Sequence, residues 1–517
     1  MRPKFDFKDI FIFDLANNHQ GDIDHALHII RAIAKVVRSN EVRGILKFQY
    51  RRLDTFIHVD HRESTENKHL KRFLDTRLEL ADFQVLLDEV RAQGLLAMCT
   101  PFDEGSVDDI VQMGFDLIKV ASCSAKDWPL LEKISETDLP VVFSTGGLSI
   151  SNIDELVSFF EHKGKDFAIM HCVSIYPTLP EDCNLNQIDV LAKRYPNRVI
   201  GWSTHEAPDN LAPIQIATAK GAMMFERHVG LATEQHQLNS YSSTPEQVDR
   251  WLSSWRAAKA LCGSMQREWS EIEQDSLNSL RRGVFARRNL IKGEFLKKED
   301  VYFAMPYVEG CLDSGGWCEG IVINTDLGIH EAIKQTDLNI PSAPDYQLLK
   351  SAIHEVKAML NEAKIVLDAT FEVEYSHHYG VASFREYGAV IINCINREYC
   401  KKLIVQLPGQ HHPVHYHKLK EETFQILSGN LQVTVDGKTR WLSPGDTCLV
   451  MPGVWHSFST DEGCIFEEVS TTHFNNDSVY QNAEINKLER TQRKTKVDHW
   501  GRFQLTAASI GKIPVEC

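Results

Sequence analysis

LLAMCTPFDEGSVDDIVQMGFDLIKVAS, residues 95–122, contains one complete strand–helix–strand unit. LLAMC (95–99) and LIKVA (117–121) are short apolar runs of the length of a buried strand. Between them, SVDDIVQMG (106–114) has apolar residues at helical spacing. Because two parallel strands need a crossover of this kind, the stretch predicts a βαβ unit.

The same theme recurs through the first 230 residues or so. The other apolar runs are FIFDL (11–15), ILKFQ (45–49), PVVFS (140–144), FAIMH (167–171), RVIGW (198–202) and AMMFE (222–226). Eight strands that alternate with helices predict an α/β fold, a (β/α)8 TIM barrel over residues 1–262. An open doubly wound sheet is the alternative that the alternation by itself leaves.

The remainder of the chain does not continue the alternation of strands and helices. A polar helical segment (262–280) leads into a small β-rich module over residues 279–340. A helix-rich stretch (347–366) follows, and short strands with Gly, Pro-Gly and Asp-Gly turns then predict an all-β barrel over residues 368–517.

Composition excludes some partners. The 517 residues carry a formal charge of −15, which argues against binding nucleic acid over a broad surface. No apolar stretch approaches the length of a membrane span, and MRPKFDFKDIFIFDL has no apolar signal region. The twelve cysteines form no CxxC pair, so we expect a cytoplasmic protein with reduced thiols and no membrane partner.

Polar side chains gather where the predicted barrel strands end, which is the face on which barrels of this type hold their active sites. They are Asn17, Asn18, His19, Lys47, Gln49, Thr100, Lys119, Ser122, Ser144, Thr145, Gly146, His171, Ser174, Tyr176, Ser203, His205, Glu226 and His228. Two lysines with small hydroxyls beside a glycine suit a compact phosphorylated anion. Two imidazoles from adjacent strands, His205 and His228, suit one shared divalent metal. A single strand-end histidine is more often structural, so the prediction rests on the whole set.

These stretches resemble the N-acetylneuraminate (sialic acid) synthases. The matching motifs are NNHQGD (17–22), LKFQ (46–49), TPFDEGSVD (100–108), IKVAS (118–122), FSTGG (143–147), HCVSIYPT (171–178), GWSTH (201–205) and ERHVG (226–230). The resemblance implies a transferase that condenses phosphoenolpyruvate with an aldose and releases phosphate. The module at 279–340 resembles the family's antifreeze-like (SAF) domain, which implies a domain-swapped homodimer.

The resemblance also implies roles for individual residues. His205 and His228 would hold manganese or magnesium, and Gln49 and Tyr176 would face the sugar. Asp14 stands at the position of the acid of the first strand. The residues that would hold phosphoenolpyruvate are Lys47, Thr100, Lys119, Ser122, Ser144 and Ser203, and Ser174 is a further predicted substrate-binding residue.

The sequence departs from the family's pattern mostly at positions that would face the aldose, whereas those that would hold phosphoenolpyruvate are kept. Asp14, Ser124, Ser174 and Met305 stand where the family has Glu, Glu, Asn and Arg, and no acid occurs at Leu238 or Asn239. The acceptor stays open among N-acetylmannosamine, mannose and their derivatives, and these changes favour an aldose without the N-acetyl group.

A second metal motif lies near the C-terminus. GQHHPVHYHKLKEETFQILSG (409–429) and GDTCLVMPGVWHSF (445–458) resemble the two-part cupin motif. His415, His417, Glu422 and His456 are its predicted ligands for zinc, manganese, iron or nickel, because His-x-His on a strand turns both rings to one face. His411 and His412 lie outside the motif, and we expect them in a loop.

Two sets of alternatives remain. The segment around the motif is similar to cupin sugar isomerases of the lyxose isomerase type, which implies aldose–ketose interconversion. A non-catalytic cupin that binds sugar or stabilises the dimer is the alternative. For the barrel, a related 3-deoxy-ulosonate synthase would use a phosphorylated aldose, which Arg51 and Arg52 leave open. The other hypothesis for the barrel is a sugar-binding protein without catalysis.

Overall fold

The computed structural model describes residues 4–62, 67–265, 269–340, 345–367, 371–474 and 476–497. The chain divides into two compact units, Met1–Glu268 and Trp269–Cys517. Among the described residues, no helix has both the length and the apolar character that crossing a bilayer requires.

The first unit is a closed parallel barrel of eight strands in sequential order, which confirms the predicted (β/α)8 fold and excludes the open sheet. The strands are β1 (Ile10–Asp14), β2 (Arg43–Tyr50), β3 (Leu96–Pro101), β4 (Leu117–Val120), β5 (Val141–Ser144), β6 (Phe167–Cys172), β7 (Ile200–Thr204) and β8 (Met224–His228). The helices are α1 (Ile23–Ser39), α2 (Leu53–Phe56), α3 (Lys68–Asp75), α4 (Leu80–Ala92), α5 (Glu104–Met113), α6 (Trp128–Ser135), α7 (Ile150–His162), α8 (Asn186–Arg194), α9 (Ala212–Ala219) and α10 (Pro245–Cys262).

Strand alternation sorts the barrel's side chains into layers. In β2, Leu46 and Phe48 pack in the cluster between strands and helices, and Ile45 belongs to the cluster inside the barrel. The interior cluster is apolar toward the N-terminal ends of the strands, with Met98, Met170 and Met224 among its members. The polar side chains follow one or two inward positions later, so they have an apolar floor beneath them.

The second unit begins with α11 (Glu271–Leu280) and a small β-rich segment. Its strands β9 (Gly283–Ala286) and β10 (Val301–Ala304) form one antiparallel pair, and β11 (Val322–Ile323) and β12 (Leu338–Asn339) form another. Apolar residues such as Val284, Leu296 and Ile333 make a core of their own. The helix α12 (Asp345–Glu362) follows; residues 341–344 before it lie outside the described residues.

The last part of the second unit is the predicted all-β barrel, built from two antiparallel sheets. Its strands are β13 (Glu372–Ser376), β14 (Ala389–Asn396), β15 (Tyr399–Gln406), β16 (His411–His417), β17 (Glu422–Gly429), β18 (Leu431–Val435), β19 (Lys438–Leu442), β20 (Thr447–Val450), β21 (His456–Ser459), β22 (Cys464–Thr471), β23 (Ser478–Tyr480) and β24 (Lys494–Val497), with α13 (Ala483–Lys487) and α14 (Arg490–Arg493) before β24. The sheet orders are β20-β17-β22-β15-β14-β13-β24 and β19-β18-β21-β16-β23. Phe424 and Ile426 of the first sheet share a buried core with Val433 and Phe458 of the second.

The expectation of a loop at His411 and His412 is wrong. Both residues lie in β16, where His412 pairs with Phe458 of β21 and is buried. A register shift between His412 and His415 interrupts the ladder at this point, and Pro413 lies inside the strand. Of the predicted range 368–517, residues 368–370, 475 and 498–517 lie outside the described residues.

Candidate functional site

A buried carboxylate, Glu226, lies at the centre of the polar layer in the first barrel. Its Oε1 is 2.8 Å from Lys47 Nζ and accepts a hydrogen bond from Ser203 Oγ at 3.1 Å. Its Oε2 is 3.6 Å from Lys119 Nζ, which in turn donates to Ser144 Oγ at 2.5 Å. Glu226 and His228 are two residues apart on β8, so their side chains face the same side of the strand, which is the interior of the barrel.

Asp14 at the end of β1 forms the second half of this network. Its Oδ2 is 2.9 Å from Lys47 Nζ, 3.5 Å from His228 Nδ1 and 3.4 Å from Gln49 Nε2, which donates to it. Asp14 is 1% exposed, so the pair with Lys47 is removed from solvent. The methylene that Asp14 lacks relative to Glu does not prevent it from reaching the lysine.

The two lysines differ in how well they are compensated. Burial alone would lower the pKa of Lys47, but Asp14 and Glu226 outweigh it and raise that pKa above the usual range. Burial lowers the pKa of Lys119, against which Glu226 is the main opposing charge. Glu226 is itself buried, yet Lys119 and Lys47 keep its pKa below normal. Lys119 therefore gains most from a further anion in the site.

Small hydroxyls border the lysines. Ser122 Oγ accepts a hydrogen bond from the Gly146 amide at 3.0 Å, and a Cβ on Gly146 would lie 2.7 Å from that oxygen. Ser174 Oγ contacts the same face of Gly146. Thr100 Oγ1 is buried and has no hydrogen-bond partner among the described residues. The predicted anion-binding residues are thus brought together, and their role in binding stays a prediction.

The two barrel histidines face each other with ring centroids 5.2 Å apart. His205 Nδ1 donates to the Val173 carbonyl oxygen at 2.9 Å, which leaves the Nε2 lone pair directed elsewhere. His228 Nδ1 is buried and lacks a hydrogen-bond partner among the described residues. Burial lowers the pKa of His205 to about 3 and also lowers that of His228, so both rings are neutral near pH 7. Neutral imidazoles are what a divalent metal requires.

A cavity of about 340 Å³ opens beside Gln49. Arg51 lines it; its guanidinium carbon lies 3.9 Å from the ring centroid of Phe73 and 3.7 Å from that of Phe102. Arg51 Nη2 also donates to Gln49 Oε1 at 3.1 Å. Arg52 instead makes a two-pronged ion pair with Asp109, at 2.7 and 2.6 Å. Of the two neighbouring arginines, Arg51 is therefore the one placed to meet a substrate.

Some strand-end residues have structural roles. Asn18 Nδ2 donates to the Val229 carbonyl at 2.8 Å, so Asn18 connects the loop after β1 with the loop after β8. His171 stacks on Trp202 at 5.0 Å and bonds to the Cys183 carbonyl at 2.9 Å, in the layer outside the strands. Neither residue is part of the polar layer.

The sequence alone does not single out three residues of the site. Glu226 follows from strand alternation, since it shares a face with His228. Tyr241, whose ring is 5.3 Å from Tyr176 and 5.4 Å from His228, lies in a loop after β8 that carries no motif. The sequence shows Arg51 only as one of a basic pair with Arg52, and its two aromatic neighbours come from segments far apart in sequence.

The second barrel brings its four predicted ligands together. Nitrogens of His415, His417 and His456 all lie within 4.8 Å of one another. Glu422 Oε1 is 3.2 Å from His417 Nε2, and its Oε2 is 3.2 Å from His456 Nε2. His415 and His456 bond through Nδ1 to the carbonyls of Pro413 and Val454, at 3.0 and 3.1 Å, so their Nε2 atoms face the interior. This donor set fits a divalent transition metal.

The fold and these sites define a (β/α)8-barrel protein with a charged interior, joined to a second barrel of the cupin class. A model of the NeuB family matches residues 41–267, and a model of the cupin domain matches residues 403–466. The chain belongs to the NeuB family.

Individual relatives agree with this assignment. A solved structure of a candidate spore coat polysaccharide biosynthesis protein E from Chromobacterium violaceum is 46% identical, covers 64% of this chain and 100% of its own, and has a TM-score of 0.62. An uncharacterized protein of Methanocaldococcus jannaschii is 31% identical, over 56% of this chain and 82% of that protein. The N-acetylneuraminate-9-phosphate synthase of Drosophila melanogaster is 28% identical, over 56% of this chain and 85% of the synthase.

Proposed function

We propose that the first barrel condenses phosphoenolpyruvate with an open-chain aldose, releasing phosphate and forming a sialic-acid-type sugar acid. The observation that carries the proposal is the buried group of Lys47, Lys119 and Glu226 beside two neutral histidines. The membership of this chain in the NeuB family and its similarity to a synthase support the same class of reaction.

The residues fit a divalent metal, manganese or magnesium, between His205 and His228. His228 Nδ1 is a buried nitrogen without a hydrogen-bond partner among the described residues, and both rings are neutral. The charge balance of the site also favours a bound metal, because the carboxylates of Asp14 and Glu226 already neutralise the two lysines. An added anionic substrate therefore calls for further positive charge in the site. When bound, the metal would supply Lewis-acid polarisation of the aldehyde oxygen.

The chain's own residues would hold and orient the two reactants. Lys47, Lys119 and the Ser122 hydroxyl beside Gly146 would bind the phosphate and carboxylate of phosphoenolpyruvate. C3 of the enol then attacks the aldehyde carbon, and water adds at C2 as the bond from C2 to the phosphate oxygen breaks. The lysines offset the charge on the departing phosphate, and the fixed geometry supplies much of the rate enhancement.

The acceptor side of the site is where this chain departs from the family pattern. Asp14 is shorter than Glu, and Ser124 and Ser174 replace larger side chains. Asp14 also contacts Gln49, one of the predicted sugar-facing residues. We infer that the acceptor is an aldose without the N-acetyl group, such as mannose or a derivative.

A second candidate substrate is an aldose with a phosphate at its far end. Arg51, held between Phe73 and Phe102, lines the cavity beside Gln49 and is not in an ion pair with a carboxylate among the described residues. A phosphate there would gain a charge-assisted hydrogen bond. A role in sugar binding without catalysis accounts less well for the buried lysine–carboxylate network, which a neutral sugar does not need.

The test is phosphate release from phosphoenolpyruvate with manganese, across mannose, N-acetylmannosamine and their 6-phosphates. We expect release to depend on the aldose. His205→Ala should lower it by at least about 100-fold, the scale of a lost catalytic metal. His162→Ala, an exposed histidine at the end of α7, is the matched control and should match wild type.

The outcomes separate the alternatives. Arg51→Ala should raise KM for the 6-phosphates if they are the acceptors and leave KM for the neutral sugars unchanged. Release that is independent of every aldose, or equal in His205→Ala and wild type, would contradict the proposal.

The other regions have proposed roles as well. We propose that residues 279–340 form an antifreeze-like (SAF) module, and that the chain works in the cytoplasm as a homodimer in which this module is exchanged. The cupin barrel is proposed to bind zinc, manganese, iron or nickel and to act as a sugar isomerase or a sugar-binding domain. Light scattering on the full chain should give twice the monomer mass, and a monomer would refute the exchange.

A further inference from the structure

A basic cavity of about 440 Å³ lies in the cupin barrel beside the three-histidine cluster. Four cationic side chains line it, Lys418, Arg490, Arg493 and Lys494, and none of its described lining residues is acidic. A smaller interior cavity is lined by His415, His417 and Glu422, among other residues. His473, Ser478, Tyr480 and Lys494 line both cavities, so the basic cavity adjoins the histidine cluster across a shared wall.

The charges that the described residues place around these cavities do not balance. Six cationic side chains are present: Lys402, Lys418, Lys420, Arg490, Arg493 and Lys494. Four carboxylates accompany them: Glu374, Glu422, Glu468 and Asp477. Among the described residues the excess is therefore positive before any metal is added.

The excess is located in the outer, basic cavity. Glu468 pairs with Lys402 and Lys420 at 3.3 and 2.9 Å in the interior, and Glu374 is shared by Arg490 and Lys494. Lys418 and Arg493 form no ion pair among the described residues. Arg493 Nε is moreover buried without a hydrogen-bond partner there, although its guanidinium carbon lies 5.4 Å from the Tyr480 ring centroid.

A neutral sugar would leave these cations uncompensated. Lys and Arg side chains that are partly removed from water gain most from an anion that can accept several hydrogen bonds. Tyr480 places the cavity close to the metal motif, because its ring stacks on His415 with centroids 5.5 Å apart. Ser478 Oγ is likewise 3.3 Å from His417 Nδ1. One small molecule can therefore touch both the cations and the histidine cluster.

We propose that the cupin barrel binds an acidic sugar derivative, with its carboxylate or phosphate in the basic cavity and its hydroxyl or carbonyl oxygens toward the three histidines. A sugar acid and a sugar phosphate share this chemistry. Binding of a sugar acid would let the cupin take up the product of the first barrel, a case that rests on the function proposed for that barrel. Binding of a sugar phosphate does not depend on it.

The test is isothermal titration calorimetry on the full chain loaded with manganese. The probes are N-acetylneuraminate, mannose 6-phosphate and neutral mannose. Arg493→Ala and Lys418→Ala remove the two unpaired cations; Arg440→Ala and Lys438→Ala, exposed residues of β19, are the matched controls. Lys119→Ala weakens binding of an anion in the first barrel, so a site that this variant retains lies elsewhere in the chain. Thermal unfolding of each variant checks that it folds, and Lys418 is exposed, so its substitution leaves the core untouched.

We expect at least one acidic probe to bind at a site that Lys119→Ala leaves intact, with mannose weaker by about tenfold or more. Arg493→Ala should weaken that site by about tenfold, the scale of one charge-assisted hydrogen bond. Lys418→Ala should weaken it by about two- to fivefold, because Lys418 is exposed, and the controls should not change it. The preference between the two acidic probes identifies the anion. Equal binding of mannose, equal effects of the cavity and control variants, or no site outside the first barrel would overturn the proposal.

Discussion

Glu226→Gln is the substitution for which the barrel site gives the sharpest expectation. Gln has nearly the same volume as Glu, so no cavity forms and the change is confined to charge. Lys47 Nζ at 2.8 Å and Lys119 Nζ at 3.6 Å then lose the carboxylate that they share. Lys47 keeps its ion pair with Asp14 at 2.9 Å, whereas Lys119 keeps no ion pair among the described residues. Leaving buried charge without its partner costs about 3–5 kcal/mol of the free energy of unfolding.

Urea unfolding followed by far-UV circular dichroism measures this cost. The matched control is Glu161→Gln on α7, which breaks an exposed pair with Arg198 at 2.9 Å and should cost no more than about 1 kcal/mol. Phosphoenolpyruvate should narrow the difference between Glu226→Gln and wild type, because its anionic groups replace the lost carboxylate. A Glu226→Gln protein within 1 kcal/mol or so of the Glu161→Gln control would refute this account of the site.

Three further substitutions test other parts of the structure. Lys119→Met should lower aldose-dependent phosphate release by about 100-fold or more, because a charge that stabilises the leaving phosphate is lost, whereas Lys163→Met on the surface should leave it unchanged; equal rates for the two variants would contradict the role of Lys119. Glu374 is buried, but Lys494 and Arg490 outweigh the burial and lower its pKa to about 2, so it stabilises the fold above about pH 4.5 and loses that contribution as the pH falls toward 2. Glu374→Gln should cost up to about 3 kcal/mol at pH 7 with a smaller difference from wild type at pH 2, and a difference that does not change with pH would refute the assignment. His417→Ala should abolish the rise in melting temperature that added zinc or manganese gives to the second unit, while the exposed His354→Ala should retain it; loss of the rise in both, or in neither, would contradict a metal centre at the three histidines.

The barrel fold could be predicted from the sequence because strand alternation leaves a strong pattern. Each of the eight apolar runs overlaps an observed strand, and the mismatch at the ends is a residue or two for most of them. An inward-facing polar residue next to an outward-facing apolar one, as in ILKFQ, marks both the strand and the site. That is why Lys47, Lys119, His205 and His228 could be named in advance.

The missed features depend on contacts between distant segments or on local irregularity. Arg51 acquires its place from Phe73 and Phe102, which no spacing in the sequence connects with it. His412 lies outside the cupin motif, so the sequence predicts a loop there, yet β16 includes it and continues past Pro413 with a shift in register. The basic cavity in the cupin barrel combines Lys418 with residues of α14, and charges spread in this way form no motif.

Carbon–carbon bond formation at the barrel site can be detected by isotope labelling of both substrates. The full chain is incubated with manganese, phosphoenolpyruvate labelled with carbon-13 at C3, and the active aldose labelled with carbon-13 at C1. Carbon-13 NMR should show a one-bond coupling between the two labels in the wild-type product, which His205→Ala should not form. Release of phosphate without that coupling would contradict a condensation at Lys47, Lys119, His205 and His228.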